Sequence, residues 1–376
     1  MNMQNAIPMD DDLERVSAMR CGDCVKLVAE FSMAYFDAVL HVGGRDFPDA
    51  FNDHEPYDRL THVFYVPQTL LAAGETATMT ALDSDDDGDL CACTLRCPET
   101  FADPDALLQS CDSGILAVKT ETETLAPGLL FRQIHCADRD GAPVEVCVLE
   151  IDPALCTLYV GTPDDGYADR DVRATIPDMA AAAERNGQTV FAAVNADFFE
   201  IFADGRPSGL CVKNGKVIAN ADSDRPFIGI LDDGTAVVTN LAEQPEILPR
   251  LRHAAAGLPR ILRNGELDEW MPLEPFGAVR HPRTAAGLRP DGTIVLLEVD
   301  GRIPAHSNGA TLVDLAKLFR SLGVTDALNL DGGGSSAVYT KTDGELRLHT
   351  VPADLFRPND CLIREDFNCL LAVRCS

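Results

Sequence analysis

The chain has 376 residues, of which 46% are hydrophobic and 24% are charged, a composition typical of globular proteins. This length exceeds that of one ordinary domain, so we expect two domains. The formal net charge is −29, and residues 1–115 carry 22 acidic and 6 basic side chains. Because clustered Lys and Arg are needed to neutralise phosphate backbones, this charge argues against nucleic acid and membrane surfaces as partners. It leaves room for one small phosphorylated ligand held by a few arginines.

The N-terminal sequence "MNMQNAIPMDDDLERVSAMRC" has no basic region followed by an apolar one, so it predicts no signal peptide. No stretch approaches the roughly 18 continuous apolar residues of a membrane span. Thirteen scattered cysteines favour buried free thiols in a reducing compartment over a disulfide framework. We therefore expect a cytoplasmic protein whose residues 1–20 form a flexible N-terminus.

Residues 21–115 are predicted to form a small, all-β, sandwich-like accessory domain. Runs such as "ETATMTAL" and "DLCACTLRC" alternate in polarity and are separated by Gly, Pro and Asp clusters, which is the pattern of short antiparallel strands. Residues 98–118 read as a linker or a connecting helix.

Two clusters in this first domain are candidate metal sites. Asp83, Asp85 and Asp87 in "DSDDDGDL" have the register of a calcium loop, but position 12 is Thr94 and strands flank the loop, which favours an acidic hairpin tip. Five cysteines offer zinc ligands, but the CxCxxxC spacing favours reduced structural thiols; they are Cys21, Cys24, Cys91, Cys93 and Cys97. We therefore expect no cofactor.

Residues 119–376 mix helical and strand patterns, which predicts an α+β domain with a mixed sheet. Strands and hairpins are indicated by "GLCVKNGKVI", "FIGILDDGTAVV" and "RTAAGLRPDGTIVLLEVDG", with Asn-Gly or Asp-Gly turns. Two stretches predict helices, "IPDMAAAAERNG" and "TLVDLAKLFRSLG". In the second, Thr311 caps the helix, Asp314 follows three residues later and Gly323 ends it.

The stretch "DALNLDGGGSSAVYT" at 326–340 is the strongest functional signal. Asp331 is followed by Gly332, Gly333 and Gly334, and then by Ser335, after a short apolar run. The stretch has neither the phosphate-loop nor the dinucleotide-binding pattern, and no helix follows it. By itself it fits either a ligand-binding loop or a wide hairpin turn.

Other polar residues lie at strand ends. Asn195 and Asp197 close the run "VNADFF", and Asp300 closes "LLEVDGR". Arg283, near His281 in "VRHPRTAAG", offers a planar guanidinium that matches phosphate or carboxylate oxygens. The alternatives are ordinary strand-end turn chemistry for Asn and Asp, and a surface arginine.

Taken together and in this order, these signals resemble the phosphodiester glycosidase family. The matching pieces run from about Leu125 to the C-terminus and are "NADFF", "GRPSGLCVKNG", "FIGILDDGT", "GLPRILRNG", "PRTAAGLRPDGTIVLLEVDGR", "GATLVDLAKLFRSLGVTDALNLDGGGSS" and "REDFNCLLAV". The resemblance implies a hydrolase that cleaves a sugar from a sugar-1-phosphate diester. The positions it carries over are Asn195, Arg283, Asp300, Asp331, the glycines 332–334 and Arg364. The chain departs from the best-known family member at Ala196-Asp197, where that member has Gly-Gly, and at His281.

This resemblance implies a division of roles. Asp331 is expected to react at the sugar and Arg283 to hold the phosphate, while Asp197 and Asp300 compete for the role of a second carboxylate. The loop amides and Ser335 are expected to hold sugar or phosphate oxygens. The expected partner is a small carbohydrate phosphodiester or glycan. A saccharide-binding protein without activity and a phosphodiesterase that cleaves the P–O bond are the alternatives.

Overall fold

The computed structural model describes residues 6–21, 24–49, 61–83, 89–101, 114–138, 142–220, 224–268, 275–303, 306–353, 355–357, 360–361 and 363–375. These residues form mainly β-sheets. The strands before residue 100 are β1 (Ile7–Pro8), β2 (Leu13–Cys21), β3 (Cys24–Phe31), β4 (Tyr35–Val42), β5 (Arg45–Pro48), β6 (Thr61–Pro67), β7 (Thr76–Asp83) and β8 (Leu90–Arg96).

These first eight strands form two sheets around one core. A five-stranded sheet has the order β1-β8-β7-β4-β5, and a three-stranded sheet has the order β2-β3-β6. Both sheets contribute to a single hydrophobic cluster, for example through Leu27 of β3 and Met79 of β7. In β8 every second side chain is buried, as the alternating sequence predicts.

The structure differs from the prediction of a flexible N-terminus over residues 1–20. Within the described part of this segment, β1 pairs with β8 and β2 pairs with β3 along its whole length. Strand β2 is held in position by its pairing with β3. The pattern of polar and apolar residues in β2 alone does not identify that partner. The prediction therefore does not hold for the residues that form these two strands.

After residue 114 the described residues form twenty more strands and two α-helices. The strands are β9 (Leu116–Ala126), β10 (Leu129–Ala137), β11 (Pro143–Ile151), β12 (Cys156–Gly161), β13 (Val190–Asn195), β14 (Leu210–Lys213), β15 (Lys216–Asn220), β16 (Phe227–Leu231), β17 (Ala236–Thr239), β18 (Leu251–Ala256), β19 (Arg260–Arg263), β20 (Glu266–Leu267), β21 (Arg283–Leu288), β22 (Ile294–Val299), β23 (Asp326–Asn329), β24 (Val338–Thr342), β25 (Glu345–Leu348), β26 (Leu355–Arg357), β27 (Asp360–Cys361) and β28 (Cys369–Arg374). The helices are α1 (Ile176–Arg185) and α2 (Leu312–Ser321).

Three larger sheets organise this part. The longest has the order β20-β19-β23-β21-β22-β11-β10-β9, and two five-stranded sheets have the orders β12-β28-β13-β24-β25 and β15-β14-β18-β16-β17. One face of the eight-stranded sheet shares a core with both five-stranded sheets, and α2 packs on its other face. Helix α1 covers the outer face of the sheet that contains β13.

The two helices begin where the sequence predicts. Thr175 caps α1 by accepting a hydrogen bond from the Asp178 amide, and Thr311 and Asp314 form a reciprocal capping box at the start of α2. The apolar stripe of α2 is buried, including Leu315 and Phe319. Neither helix exceeds ten residues, and the described residues contain no helix long and apolar enough to cross a membrane.

The mixed sheet of the prediction is not observed among the described strands, because every strand pairing that they form after residue 114 is antiparallel. Tight hairpins impose this arrangement. Asn214 and Gly215 adopt positive φ values of 49° and 76° between β14 and β15, and Asn264 and Gly265 do the same between β19 and β20. Short turns of this kind join only antiparallel neighbours. The fold is thus mostly β, with two helices laid on its outer faces.

Candidate functional site

The glycine loop crosses between two sheets. It leaves β23, which pairs with β21 and β19 in the eight-stranded sheet, and enters β24, which pairs with β13 and β25 in a five-stranded sheet. The wide-hairpin alternative is therefore wrong, because β23 and β24 are not partners. The loop lies where the ends of two sheets meet, which is a common place for a ligand site.

Asn195, at the end of β13, fastens this loop. Its Nδ2 donates to the Asp331 carbonyl oxygen at 2.7 Å, and its Oδ1 accepts from the Thr284 hydroxyl at 2.6 Å and from the Ala337 amide at 3.2 Å. The side chain is fully buried. The Asp331 amide also donates to the Ala196 carbonyl at 2.9 Å. Asn195 therefore acts as a structural link between two strands and the loop that joins their sheets.

Two of the glycines are required by close approach. A Cβ on Gly332 would lie 2.6 Å from the Pro282 carbonyl oxygen, and one on Gly333 would lie 3.0 Å from both terminal nitrogens of Arg302. Gly333 also has a φ of +63°, which favours glycine. The glycines thus let the loop backbone pack beneath the Arg302 guanidinium.

The amides of this loop are mostly used within the protein. The Gly332 amide donates to Asp331 Oδ1 at 2.9 Å, and the Gly333 amide donates to the Pro282 carbonyl at 3.0 Å. The amides of Ser335 and Ser336 donate to carbonyls of the loop itself. These four N–H groups are therefore not available to a bound phosphate, in contrast to the role that the sequence predicts for them.

The Asp331 carboxyl has a perturbed acidity. Burial raises its pKa from 3.8 to about 6. This rise is opposed by hydrogen bonds from the Ser335 side chain and the Gly332 amide, and by the charges of Arg364 and Arg302. A carboxyl with a pKa near 6 is mostly ionised at neutral pH and can still accept and release a proton there, which suits acid–base or nucleophilic chemistry.

Arg302 and Arg364 both place positive charge near this carboxyl. The Arg364 Nη1 donates to Ser335 Oγ at 3.1 Å, and the exposed Arg302 lies against Gly333. The Arg302 backbone has a φ of +62°, an unusual conformation for a residue with a Cβ. The sequence prediction overlooks Arg302. The run "EVDGR" could have indicated it, because this arginine directly follows an Asp-Gly turn at the end of a strand.

His281 is joined to the same group. The Arg302 Nε donates to His281 Nδ1 at 3.3 Å. Burial, followed by the charges of Arg302 and Arg283, lowers the pKa of His281, so the ring is neutral at neutral pH. Because Nδ1 is the acceptor in this bond, the ring hydrogen resides on Nε2, where it can be donated to a ligand.

Arg283 lies deeper than its predicted role requires. It is only 4% exposed, and its guanidinium donates to the carbonyls of Ala310 at 3.2 Å and Val279 at 3.0 Å. Burial and the charge of Arg302 lower its pKa to about 10. This geometry makes Arg283 a support for the backbone that carries His281, rather than the outermost phosphate-facing cation.

Asp300 closes the short loop that carries Arg302. Its Oδ2 lies 2.5 Å from His306 Nε2, and its carboxylate accepts from the Val351 amide at 3.0 Å. The Ser307 hydroxyl donates to the Asp300 carbonyl at 2.5 Å, which completes the loop closure. The side chain is buried, so its contacts are those of a group that holds the loop in shape.

Asp197 is buried next to Asn368, whose amide donates to Asp197 Oδ2 at 2.9 Å while its Oδ1 accepts from the Asp197 amide at 3.0 Å. Burial raises the pKa of Asp197 well above its ordinary value, and the charge of Asp331 raises it further. The hydrogen bond from Asn368 and the charge of Arg225 act in the opposite direction. Asp197 is thus close enough to interact electrostatically with Asp331, and its burial favours the protonated form.

The candidate metal clusters lie elsewhere. Asp83 is the last residue of β7, which pairs with β8 as a hairpin, while Asp85 and Asp87 fall outside the described residues. Cys91, Cys93 and Cys97 are buried free thiols, and burial raises the pKa of each. Within the described ranges no group of three or more His, Cys, Asp or Glu side chains is arranged to hold a metal ion.

Comparison with known proteins confirms the resemblance that the sequence suggests. Residues 188–361 match the family model described as phosphodiester glycosidase, a range that includes every catalytic or substrate-binding residue predicted from the sequence except Arg364. A mouse N-acetylglucosamine-1-phosphodiester alpha-N-acetylglucosaminidase is 30% identical over 181 residues, which are 44% of this chain and 33% of the mouse protein. The chain spans between 11% and 42% of the length of the curated relatives it matches.

Solved structures support the fold. The catalytic domain of the zebrafish N-acetylglucosamine-1-phosphodiester alpha-N-acetylglucosaminidase superposes with a TM-score of 0.53 at 21% identity, covering 67% of this chain and 87% of that one. A hypothetical protein from Synechocystis superposes with a TM-score of 0.55 at 13% identity, covering 97% of this chain and 80% of that one. At these identities the likeness speaks to the fold alone.

Proposed function

We propose that this chain, whose residues 188–361 match the model of the phosphodiester glycosidase family, is a hydrolase that releases a sugar from a sugar-1-phosphate diester. The observation that carries the proposal is the Asp331 carboxyl, with a pKa raised to about 6, between Arg302 and Arg364 on a loop that joins two sheets. The mouse relative is named for a substrate of this class, so an N-acetylglucosamine-1-phosphodiester is the first substrate to test.

Arg302 and Arg364 are the proposed phosphate ligands. Arg302 is exposed and Arg364 is half-buried, and each lies close enough to Asp331 to lower the pKa of that carboxyl. A guanidinium matches the oxygens of a phosphodiester with two parallel hydrogen bonds. We assign the phosphate to this pair in place of Arg283, because Arg283 is buried and donates to two backbone carbonyls.

Asp331 is the proposed reacting carboxylate. It is mostly ionised at neutral pH, so it can attack the anomeric carbon or take a proton from an attacking water. The leaving phosphomonoester has a second pKa of about 6, so it departs with little protonation. One reacting carboxylate and a pair of arginines are therefore sufficient for cleavage on the sugar side.

We propose that His281 assists the departure of the phosphate. Its neutral ring carries the hydrogen on Nε2 and is oriented by Arg302, so it can donate a hydrogen bond to an oxygen of the leaving phosphate. Asp300 holds the Arg302 loop, and Asp197 is bound to Asn368. Both aspartates are thus proposed as positioning residues of the reaction.

Hydrolysis in oxygen-18 water tests the reaction class. Label found in the sugar supports a glycosidase, whereas label found in the phosphate means that the P–O bond breaks and overturns the proposal. Binding of the diester without turnover favours the saccharide-binding alternative. The same experiment on diesters that differ only in the sugar identifies the sugar preferred.

Variants at Asp331 test the assignment of the reacting group. Asp331→Asn is expected to reduce kcat by about 10³-fold or more, since it removes the only proposed nucleophile or base. Asp291→Asn is the matched control, because Asp291 is an exposed aspartate in the β21–β22 turn. Unchanged turnover in Asp331→Asn would show that another residue reacts.

A further inference from the structure

A second cavity, of about 380 Å³, opens at the other end of β13 from Asn195. Its wall includes Arg252 of β18 and Arg374 at the end of β28. The Arg374 amide donates to the Thr189 carbonyl just before β13 begins, whereas Asn195 ends the strand beside Asp331. Since a strand rises about 3.3 Å per residue, the two ends of β13 are roughly 17 Å apart. The cavity is therefore separate from the proposed catalytic site.

This cavity is positively charged on a strongly acidic chain. The side chains of Arg252 and Arg374 are exposed, and neither has an ion-pair partner among the residues that the structure describes. Asp232 also lines the cavity, but its Oδ1 already lies 3.2 Å from Arg250 Nη2. With a net charge of −29 overall, two unpaired arginines facing one cavity are not explained by the surface composition.

A buried histidine adds a neutral donor. His253 is 8% exposed and forms part of the cavity wall, and its Nδ1 accepts a hydrogen bond from the Val160 amide at 3.3 Å. Burial, helped by the charges of Lys213 and Arg252, lowers the pKa of His253 to about 3, so the ring is neutral. The ring hydrogen therefore resides on Nε2, the nitrogen left for a ligand.

The other parts of the wall give the cavity a fixed shape. The Tyr159 ring lies 4.6 Å from the His253 ring, centroid to centroid, and its hydroxyl donates to Asp165 at 3.0 Å. The Arg374 guanidinium stands 5.8 Å from the centre of the Phe191 ring, which restrains the arginine next to the opening. The donors are thus held on sheet strands rather than on free loops.

We propose that this cavity binds the phosphate group of a small organic phosphate, held by Arg252, Arg374 and the Nε2–H of His253. Three donors on two strands of different sheets suit a tetrahedral oxyanion, whereas a carboxylate is satisfied by one guanidinium fork. The volume lies in the range of small-molecule sites, so the ligand carries an organic part as well as the phosphate. This site does not depend on the catalytic assignment.

Titration calorimetry with inorganic phosphate tests the site. The full-length Arg302→Ala protein serves as the reference, because this substitution weakens phosphate binding at the catalytic loop. Adding Arg252→Ala or Arg374→Ala is expected to weaken the remaining binding about tenfold, the loss of roughly one charge-assisted hydrogen bond. Adding Arg96→Ala, which removes an equal charge from an exposed arginine of β8 that is paired with Glu99 and does not line the cavity, is expected to leave the affinity unchanged.

Several outcomes would overturn the proposal. These are an absence of binding to the reference protein at millimolar phosphate, an equal loss of affinity in the Arg96→Ala control, or unchanged affinity in both cavity variants. Acetate bound as tightly as phosphate would also contradict the assignment of a tetrahedral anion. As an independent readout, the ring nitrogen signals of His253, identified with His253→Gln, are expected to shift on phosphate addition, and in Arg252→Ala the same shift is expected to need about tenfold more phosphate.

Discussion

Asp331→Asn is expected to make the protein more stable at neutral pH while it abolishes turnover. Burial raises the pKa of Asp331 from 3.8 to about 6 in the folded chain. Between these two pH values the folded state binds more protons than the unfolded state, so the free energy of unfolding falls as pH rises through this window. Above pH 6 the ionised carboxylate is therefore a cost to the fold, and asparagine removes it.

The magnitude follows from the size of the shift. A shift of about two pKa units corresponds to about 3 kcal/mol once both states are ionised. Asparagine keeps an oxygen that can accept from the Gly332 amide but loses the attraction to two arginines, so we expect a net gain of about 1–3 kcal/mol. Roughly 1.4 kcal/mol of this difference is expected to develop between pH 5 and pH 8.

Urea unfolding of both proteins at pH 5, 6, 7 and 8 measures this difference. Taking the difference at each pH cancels the titrating groups that do not interact with Asp331, since those groups behave alike in both chains. Asp291→Asn is the control of opposite sign, because the Thr293 amide lowers the pKa of Asp291, whose ionised form stabilises the fold. A gap between Asp331→Asn and the parent that is constant across pH, or a less stable variant at pH 8, would refute the reasoning.

Three further results are expected. Arg302→Ala should lower kcat/KM for a sugar-1-phosphate diester about 10²- to 10³-fold, and Arg302→Lys should recover part of the loss; equal activity of all three would exclude a phosphate contact. The kcat/KM of the parent should fall as pH drops below about 6, because protonated Asp331 cannot react, and a flat acid limb would contradict this role. Asn195→Ala should lower the free energy of unfolding by about 3–5 kcal/mol in urea, because three hydrogen bonds lose a buried partner, whereas a loss below about 1 kcal/mol would show that Asn195 is not a structural link.

The elements that the sequence predicts best are those with local causes. Helix α2 is determined by Thr311, Asp314 and an apolar stripe, all within thirteen residues, and the structure shows the predicted capping box. The hairpins at Asn214 and Asn264 likewise depend on two turn residues with positive φ. Local chemistry of this kind is fully visible in a single sequence.

The connection of β23 to β24 shows what a sequence pattern leaves open. Two short apolar runs around a glycine-rich turn fit a hairpin, and only the remote partners decide otherwise. These partners are β21 and β19 for the first strand and β13 and β25 for the second. Strand partners separated by many residues are fixed by tertiary packing, which the polarity of the runs does not encode.

The roles of individual side chains likewise depend on tertiary packing that the sequence pattern does not show. Asn195 stands at a strand end in both the prediction and the structure, but its link to the Asp331 carbonyl spans 136 positions in sequence. Arg283 and Arg302 are both arginines beside strands of the same hairpin, and burial alone separates the one that supports backbone carbonyls from the one that is exposed. Burial of this kind is decided by the neighbouring strands and loops.

The residues of the site form two groups. Buried residues hold the loops of the site in position, and the others are proposed to take part in the reaction. Asn195, Arg283 and Asp300 are buried, and each makes hydrogen bonds to other parts of the protein. Asp331 and Arg302 keep access to solvent, and each has a feature that costs stability, namely a raised pKa and a backbone φ of +62°. Such costs persist only where the surrounding structure imposes them, and here the buried group supplies the constraint. A substitution at one of these buried residues should therefore lower kcat by displacing Asp331 or Arg302. The pH near 6 below which kcat/KM falls should change less, because it reports the pKa of Asp331.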